Sequence, residues 1–352
     1  MLLFRVFSIP VRFFIALLIY FSWGPLAGGV VTAPVPEFSS PALIPYPSKV
    51  VRGAGEAGFR SVHVKVGPDV PGRDDLMKEI KDIFRTSGIQ GSLNSGGAAE
   101  GAMTWELFPD ARMKGEGYDL SVGLGKATVR AGSFGGFFNA LQTLRQLVFN
   151  REGEFAMPVV RISDKPAFVL RGIMLDVGRY YMSPALIKEM MRRLSRYKIN
   201  TLHLHLTDDP AWRLEVKKYP ALTDGAFHWK SRLPGRFYTQ AQLKDLTDYC
   251  ARLNIQVIPE IDMPGHSQPF SRAMKTGMQT EKGVSILKDV VDEAVSLFPG
   301  RFFHMGSDEA HISMKDFIPR MAEHIRGKGK EVVVWSPGGP HDKDSVLMCW
   351  GE

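Results

Sequence analysis

The chain has 352 residues, of which 44% are hydrophobic and 23% are charged, and its formal net charge at pH 7 is +7. These proportions are typical of a soluble globular protein and exclude a disordered tail, a collagen-like repeat and a multi-span membrane protein. No lysine- and arginine-rich run of nucleic-acid-binding type stands out, so the basic excess does not indicate a DNA or RNA partner. At roughly 150 residues per domain, the length predicts about two domains.

The N-terminus is predicted to be a secretory signal peptide, residues 1–30. Arg5 and Arg12 supply its positive charge, residues 13–21 are apolar, and small residues follow where cleavage would occur. An uncleaved anchor is the alternative, but the apolar run is shorter than the ~20 residues that span a bilayer. We therefore expect an exported protein, periplasmic or extracellular, without membrane contact after cleavage. A Pro- and Ser-rich tether is predicted over 31–42.

A small α+β domain is predicted over 43–150. Residues 61–66 alternate as a strand does, and 118–122 and 127–131 form a hairpin around a Gly-containing turn. Apolar residues at helical spacing then predict a helix over 137–148. This domain shows no catalytic constellation of its own.

Residues 165–352 change to β-rich runs that alternate with amphipathic helices. This order predicts parallel strands with right-handed crossovers. Helices are predicted to begin at Ser183, followed by Pro184, and at Thr239, which has a capping-box partner in Gln242. A third helix is predicted over 284–298. The six predicted strands are 173–177, 201–206, 256–260, 302–305, 332–335 and 346–350.

Each of the first four strands is followed by polar side chains: Asp176 and Arg179; Asp208 and Asp209; Glu260, Asp262 and His266; Asp308 and Glu309. A (β/α)8 TIM-type barrel builds its site in this way, whereas a doubly wound sheet concentrates such groups at one switch point. The four charged strand ends favour the barrel. Only about 180 residues stand where a full barrel uses ~250. We therefore expect a barrel truncated after about six strands, in a fragment of a longer protein.

The sharpest motif is HMGSDEA, residues 304–310. Its two adjacent acids, Asp308 and Glu309, repel one another, and one of them in an apolar site would have a raised pKa. Such a group suits a general acid near neutral pH. The alternative is a helix N-terminus capped by Ser307 or Asp308.

Two tryptophans, Trp335 and Trp350, end the fifth and sixth predicted strands. They are either core aromatics or a platform on which the C–H face of a sugar stacks. Arg179, beyond the first strand, is the better candidate ligand for hydroxyls or a carboxylate. Arg171, before that strand, is expected to form a structural ion pair.

A metal-dependent barrel hydrolase is the main rival interpretation. His203 and His205 share one face of the second strand and could bind a metal together with nearby polar groups. Against this, the fifth and sixth strands supply no further histidine or carboxylate ligand, so we prefer His203 as a core histidine. The nearby groups are Asp208, Asp209, Asp262 and His266.

Four ordered segments resemble the successive strand blocks of the glycoside hydrolase family 20 β-N-acetylhexosaminidases. The upstream domain, with IPYPSKV and NALQTLRQL, is similar to that family's small N-terminal α+β domain. The resemblance extends from about residue 43 to the end. The four segments are LRGIMLDVGRYY (170–181), KINTLHLHLTDDPAWRLE (198–215), IPEIDMPGHSQ (258–268) and FHMGSDEA (303–310).

The resemblance implies an exo-acting enzyme that removes terminal β-linked GlcNAc or GalNAc from glycans by substrate-assisted retaining hydrolysis, without a metal or other cofactor. Glu309 would be the general acid, and Asp308 would hold the substrate's 2-acetamido N–H. Arg179 would grip hydroxyls of the terminal sugar.

Further roles follow from the same resemblance. Asp208 and His266 would form a dyad that supports Glu309, and Trp335 and Trp350 would line the sugar pocket. The family usually has two glycines before the acids, where this chain has Gly306-Ser307. The tyrosine, tryptophan and carboxylates that the last two strands normally supply are missing from this chain. An inactive carbohydrate-binding remnant is therefore the alternative from a different class.

Overall fold

The computed structural model describes residues 4–5, 42–93, 98–151, 153–337, 339 and 341–350. The predicted signal peptide and tether lie outside the described residues except for Phe4, Arg5 and Ala42. The helices within the described ranges include none that is both long and apolar enough to cross a membrane.

The first strand in the chain, β1, is Phe4–Arg5. The first domain follows it and contains a mixed sheet with both antiparallel and parallel strand pairs. Its strands lie in the order β2-β9-β6-β7-β5-β3-β4, with β8 paired to β9. The predicted hairpin is confirmed, because β6 and β7 pair antiparallel with Tyr118 opposite Ala131. The elements are β2 (Lys49–Phe59), β3 (Ser61–Val66), α1 (Arg73–Ser87), β4 (Gln90–Leu93), β5 (Ala102–Pro109), β6 (Tyr118–Gly123), β7 (Lys126–Ala131), α2 (Phe134–Leu147), β8 (Phe149–Arg151) and β9 (Glu154–Asp164).

Two helices cover one face of this sheet. The predicted helix begins at Phe134 rather than 137, because the Ser133 side chain accepts a hydrogen bond from the Gly136 N–H and caps it. Helix α1 was not predicted, although Leu76, Ile80 and Ile83 give it one buried stripe. The opposite face of the sheet carries the alternate, exposed residues, as the burial pattern of β6 shows.

The second domain contains six parallel strands whose order in the sheet follows the order of the chain. A doubly wound sheet would reverse this order at a switch point, so the barrel interpretation is confirmed and the alternative is wrong. The strands and helices are β10 (Gly172–Asp176), α3 (Pro184–Ser195), β11 (Thr201–His205), β12 (Thr207–Asp208), β13 (Ala211–Trp212), α4 (Gln240–Arg252), β14 (Gln256–Glu260), α5 (Gln268–Met274), α6 (Glu281–Leu297), β15 (Phe302–His304), α7 (Phe317–Gly327), β16 (Glu331–Ser336) and β17 (Val346–Cys349).

The sheet curls so that side chains from non-adjacent strands meet in its interior. Ile258 of β14, Phe302 of β15, Val333 of β16 and Met348 of β17 belong to one buried cluster, against which Met174 of β10 packs. Strand β1 pairs parallel to β17, at the free edge. The six strands therefore form part of a barrel wall.

The predicted helix starts are confirmed in this domain. Ser183 caps α3 through the Leu186 N–H. Thr239 and Gln242 make both hydrogen bonds of the capping box on α4. The third predicted helix, α6, begins at Glu281, three residues earlier than its apolar pattern, because Thr280 caps it.

Buried ion pairs join the amino ends of the barrel strands to the first domain. Lys198 lies 2.9 Å from the Tyr118 hydroxyl and 3.0 Å from an Asp164 carboxylate oxygen. Arg171 forms an ion pair with Glu116, as predicted for this arginine from the sequence. These contacts leave the carboxyl ends of the strands, with their polar side chains, on the far side of the barrel from the first domain.

Candidate active site

The two acids follow β15 on a turn with unusual backbone conformations. Positive φ values occur at Gly306 (70°), Ser307 (80°) and Glu309 (50°). A Cβ atom at Gly306 would lie 1.9 Å from an Asp262 oxygen, so only glycine fits there. A positive φ at Ser307 costs roughly 1–2 kcal/mol relative to glycine, which gives the family's usual glycine at this position a physical reason. Such strain is typical of functional sites.

Glu309 is the more exposed acid, and a histidine holds it. His266 Nε2 lies 3.2 Å from Glu309 Oε2, and its other ring nitrogen lies 3.5 Å from Asp208 Oδ1. The contact with Asp208 raises the pKa of His266 to about 9. The protonated ring therefore bridges the two carboxylates. The structure brings together the predicted Asp208–His266 dyad and Glu309.

Arg179 reaches the same carboxylate from β10. Its Nη2 lies 2.8 Å from Asp208 Oδ2, and its Nη1 lies 2.7 Å from Asp176 Oδ2. Burial alone would raise the pKa of Asp208, but hydrogen bonds to His205 and His266 and the charge of Arg179 hold it well below its usual range. Asp176 was noticed only as a strand-end charge. Its contact shows that it orients Arg179.

Asp308 is held by a different partner from Glu309. The Trp350 indole N–H donates a hydrogen bond of 2.8 Å to Asp308 Oδ2. Burial raises the pKa of Asp308. The structure thus places Trp350 at the acids, with 40% of its surface exposed, and it points the two neighbouring carboxylates towards separate partners.

Trp335 lies in the barrel interior and is only 8% exposed. Its indole N–H donates a 2.7 Å hydrogen bond to Glu260 Oε1, and its ring packs 4.5 Å from the ring of His304. The indole of Trp335 therefore points to Glu260 in the interior, whereas the indole of Trp350 points to Asp308. Its predicted place in a sugar pocket stays a prediction.

Sequence reasoning assigned no site role to Glu260, which is fully buried among three histidines. Its carboxylate lies 2.8 Å from His203 Nε2, 2.7 Å from His205 Nδ1 and 3.3 Å from His304 Nδ1. Burial would raise the pKa of Glu260, but the charge of His205 and its histidine neighbours lower it well below the ordinary value. The position of Glu260 at the end of a predicted strand, in the segment IPEID, was the only feature of the sequence that drew attention to it.

His205 connects this buried carboxylate to the dyad. Its Nε2 lies 3.0 Å from Asp208 Oδ2, on the side opposite to Glu260. Burial opposes a charge on His205, but the charge of Glu260 and the hydrogen bond to Asp208 raise its pKa well above normal. His304, by contrast, has its pKa lowered by burial to about 4 and stays neutral. Contacts therefore run from Glu260 through His205, Asp208 and His266 to Glu309.

Several groups of three side chains place metal-ligand atoms within 4.8 Å of one another. His205 belongs to two of them, and its two nitrogens lie 3.0 Å from Asp208 and 2.7 Å from Glu260. The set of His203, Glu260 and His304 is at most 3% exposed. An ion there would be enclosed in the barrel interior, without the open position that a catalytic zinc site needs.

A buried arginine orders the loops around the site, and no sequence signal pointed to it. The guanidinium of Arg213, which is 0% exposed, donates to the carbonyl oxygen of Val177 at 3.1 Å. It also donates to those of Arg232 at 2.6 Å and Arg236 at 2.7 Å. Burial lowers the pKa of Arg213 to about 10, so it stays charged near neutral pH. It ties the segment before Arg179 to the 232–236 loop.

Comparison with known families agrees with this geometry. The model described as glycosyl hydrolase family 20, catalytic domain, matches residues 168–283, and the model described as domain 2 of the same family matches residues 40–165. Together they match more than half of the chain. The catalytic-domain match ends before Asp308 and Glu309.

The most similar relatives carry hexosaminidase names. A β-hexosaminidase of Vibrio furnissii is 31% identical over 293 residues, which are 66% of this chain and 48% of the relative. A β-hexosaminidase of Porphyromonas gingivalis is 37% identical over 300 residues, 68% of this chain and 38% of the relative. The chain thus spans about half the length, or less, of these relatives.

Solved structures repeat the fold. The Streptomyces plicatus N-acetyl-β-hexosaminidase in complex with Thio-NAglucal superposes with a TM-score of 0.78 at 28% identity, and the match covers 88% of this chain and 68% of that one. The resemblance to glycoside hydrolase family 20 is thereby confirmed. This chain belongs to glycosyl hydrolase family 20.

Proposed function

We propose that this chain carries the acid-bearing part of an exo-β-N-acetylhexosaminidase that removes terminal β-linked GlcNAc or GalNAc from glycans. The observation that supports this is the separation of the two adjacent acids. Glu309 contacts His266 at 3.2 Å, whereas Asp308 accepts the Trp350 indole N–H. One carboxyl is thus exposed and supported by a proton-bearing dyad, and the other is buried beside it.

The placement of the acids favours substrate assistance. A retaining enzyme with its own nucleophile needs two carboxyl groups about 5–5.5 Å apart on opposite sides of the scissile bond. Neighbouring residues that point to different partners do not straddle a bond in this way. The 2-acetamido carbonyl oxygen of the substrate attacks C1 instead, while Glu309 gives its proton to the leaving oxygen. Asp308 stabilises the charge that develops on the acetamido group.

The second half-reaction returns the enzyme to its starting state. Glu309, now a carboxylate, takes a proton from a water molecule that attacks C1 and opens the oxazolinium ring. The protonated His266, between Asp208 and Glu309, stabilises the carboxylate between the two steps. Arg179, held by Asp176 and Asp208, presents guanidinium donors to the sugar hydroxyls.

We also propose that the protein is exported and meets its glycan in the periplasm or the medium. The charged and apolar pattern of residues 1–30 supports this location. The substrate class draws on a relative, since a Streptomyces plicatus β-hexosaminidase variant is described in complex with the product GlcNAc. Chitin-like chains and peptidoglycan are polymers that present such a sugar.

The test of the proposed function is a comparison of two glycosides that differ at one position. The protein, in the longest form that its gene encodes, should release 4-nitrophenol from the β-GlcNAc glycoside. It should be inactive on the β-glucoside, because that sugar lacks the acetamido group that attacks C1. Similar rates on both sugars would contradict substrate assistance, and inactivity on both would favour the carbohydrate-binding remnant.

Activity should be insensitive to chelators. The proposed mechanism uses only the charges and hydrogen bonds of Arg179, Asp208 and Glu309. Both nitrogens of His205 already contact carboxylates. We therefore expect 4-nitrophenol release to be unchanged after dialysis against EDTA. A loss of activity that zinc restores would revive the metal-dependent interpretation.

A further inference from the structure

A strongly basic cleft lies between the C-terminal ends of α1 and α3, and it takes no part in the proposed function. Its volume is about 530 Å³, and four arginines line it, Arg85, Arg192, Arg193 and Arg196. A helix that follows a barrel strand runs back antiparallel to it, so the end of α3 lies at the amino ends of the strands. The cleft is therefore at the opposite face of the barrel from Glu309.

The arginines around this cleft outnumber the carboxylates. Arg145 lies behind the lining, 2.7 Å from Glu79, and Arg192 pairs with the same carboxylate at 2.6 Å. Asp82 pairs with Arg85 at 2.6 Å, with Arg145 at 2.9 Å and with Arg192, and Glu189 pairs with Arg193 at 2.7 Å. Five arginines thus share three carboxylates, Glu79, Asp82 and Glu189, which leaves two positive charges in excess.

Of the five arginines, Arg196 has the charge that is least well neutralised by a nearby carboxylate. It lies 3.9 Å from an Asp82 oxygen that Arg192 already contacts closely. Its Nε atom is buried and has no hydrogen-bond partner among the described residues. Burial, together with the like charges of Arg145 and Arg192, lowers the pKa of Arg196. With 36% of its side chain exposed, this weakly compensated guanidinium can contact an anion in the cleft through its exposed part.

Helix capping does not account for this concentration of arginine. Cations near a helix C-terminus are favoured by the helix dipole, which accounts for single exposed residues such as Arg85 or Arg193. The joining of the two domains needs only Arg145 and Arg192, which already neutralise Glu79 and Asp82. Neither role explains Arg196, whose ion pair among the described residues is a long one, 3.9 Å to Asp82.

We propose that this cleft binds an oxyanion that carries two negative charges, the chemistry of a phosphate or sulfate group. Such a group matches the excess of two positive charges. Its oxygens can accept paired N–H bonds from the planar guanidinium of Arg196 and from the exposed guanidinium of Arg85. The group is either a free ion or a substituent on a glycan. The site does not depend on the proposed hydrolysis.

The test is calorimetric titration of the 352-residue chain at constant ionic strength, with chloride replacing the probe in the control. One arm uses sodium sulfate, and the other uses a sulfated tetrasaccharide. We expect saturable binding with one site per chain, weakened at least ~10-fold by Arg196→Gln, because the substitution removes a charge-assisted contact. Arg301→Gln is the matched control, because Arg301 forms an exposed ion pair elsewhere. It should leave the affinity unchanged.

Two results would overturn the proposal: the absence of saturable binding in both arms, or equal affinity in the wild type and Arg196→Gln. Arg85→Gln guards against a folding defect, because the Arg85 side chain is 73% exposed. This variant should also weaken binding, and an unchanged affinity in it would contradict the proposed binding of the oxyanion between Arg85 and Arg196. Tighter binding of the tetrasaccharide than of sulfate would identify a glycan-borne group, and equal binding would identify the free ion.

Discussion

Glu309→Gln should slow 4-nitrophenol release from the β-GlcNAc glycoside at least ~100-fold, the size of a general acid's contribution. The amide has nearly the same shape and still accepts a hydrogen bond from His266, but it cannot give a proton to the leaving oxygen. Arg179 is untouched, so KM should change far less than kcat. Steady-state kinetics at several substrate concentrations separates the two parameters.

A comparison of two leaving groups tests the acid role of Glu309 more directly than the loss of rate on one substrate. A dinitrophenolate departs without protonation, so the loss in Glu309→Gln should be much smaller with the 2,4-dinitrophenyl glycoside than with a poorer leaving group. Glu323→Gln is the control, because Glu323 is an exposed residue of α7. An equal loss with both leaving groups would show that Glu309 acts in some other way than as the acid.

The barrel and several helix starts could be predicted because their causes are local. Ser183, Thr239 and Gln242 cap helices through hydrogen bonds that span only three residues. Charged residues recur at the carboxyl end of one strand after another, and parallel topology collects them at one edge. Asp208, His266 and Glu309 could therefore be placed at the same edge, whereas their contact as a dyad beside the acid was implied by the family resemblance.

The network behind these residues could not be predicted, because a position on a strand does not show which side chains point into the barrel interior. Glu260, His304 and Trp335 come from three strands, and only the curl of the sheet brings them together. Trp335 and Trp350 illustrate the same limit. Both end a strand, but one indole points to Glu260 in the interior and the other to Asp308. The sequence pattern gives the strand end, whereas the direction of the side chain depends on register and twist.

Arg213 shows a second kind of limit. Its partners are backbone carbonyl oxygens of Val177, Arg232 and Arg236, and every residue type has a carbonyl oxygen. A side chain that binds main-chain atoms leaves no complementary residue type in the sequence to signal it. Its role becomes visible only when the loop conformation is known.

Glu260→Gln should destabilise the barrel by about 3–5 kcal/mol, the cost of breaking a buried ion pair by removing one partner. The amide can still accept the Trp335 N–H, so the change isolates the charge. It removes the nearer of the two buried carboxylates beside the His205 imidazolium, 2.7 Å away, and leaves only Asp208 at 3.0 Å. Urea unfolding followed by tryptophan fluorescence measures the loss. Glu331→Gln is the matched control, because its pair with Arg301 is exposed, and it should cost less than about 1 kcal/mol.

The difference between the wild type and Glu260→Gln should depend on pH. The pKa of Glu260 is lowered from 4.5, so its stabilising effect is present above pH 4.5 and is lost as the pH falls through the lower, folded-state value. The pKa of His205 is raised from 6.5, so its effect is present below pH 6.5 and is lost as the pH rises through the higher, folded-state value. Both stabilising effects are fully present between pH 4.5 and pH 6.5. The difference in unfolding free energy between the wild type and Glu260→Gln should therefore be largest in that range. A difference that stays constant from pH 4 to 9 would show that Glu260 stabilises the barrel by packing rather than by charge.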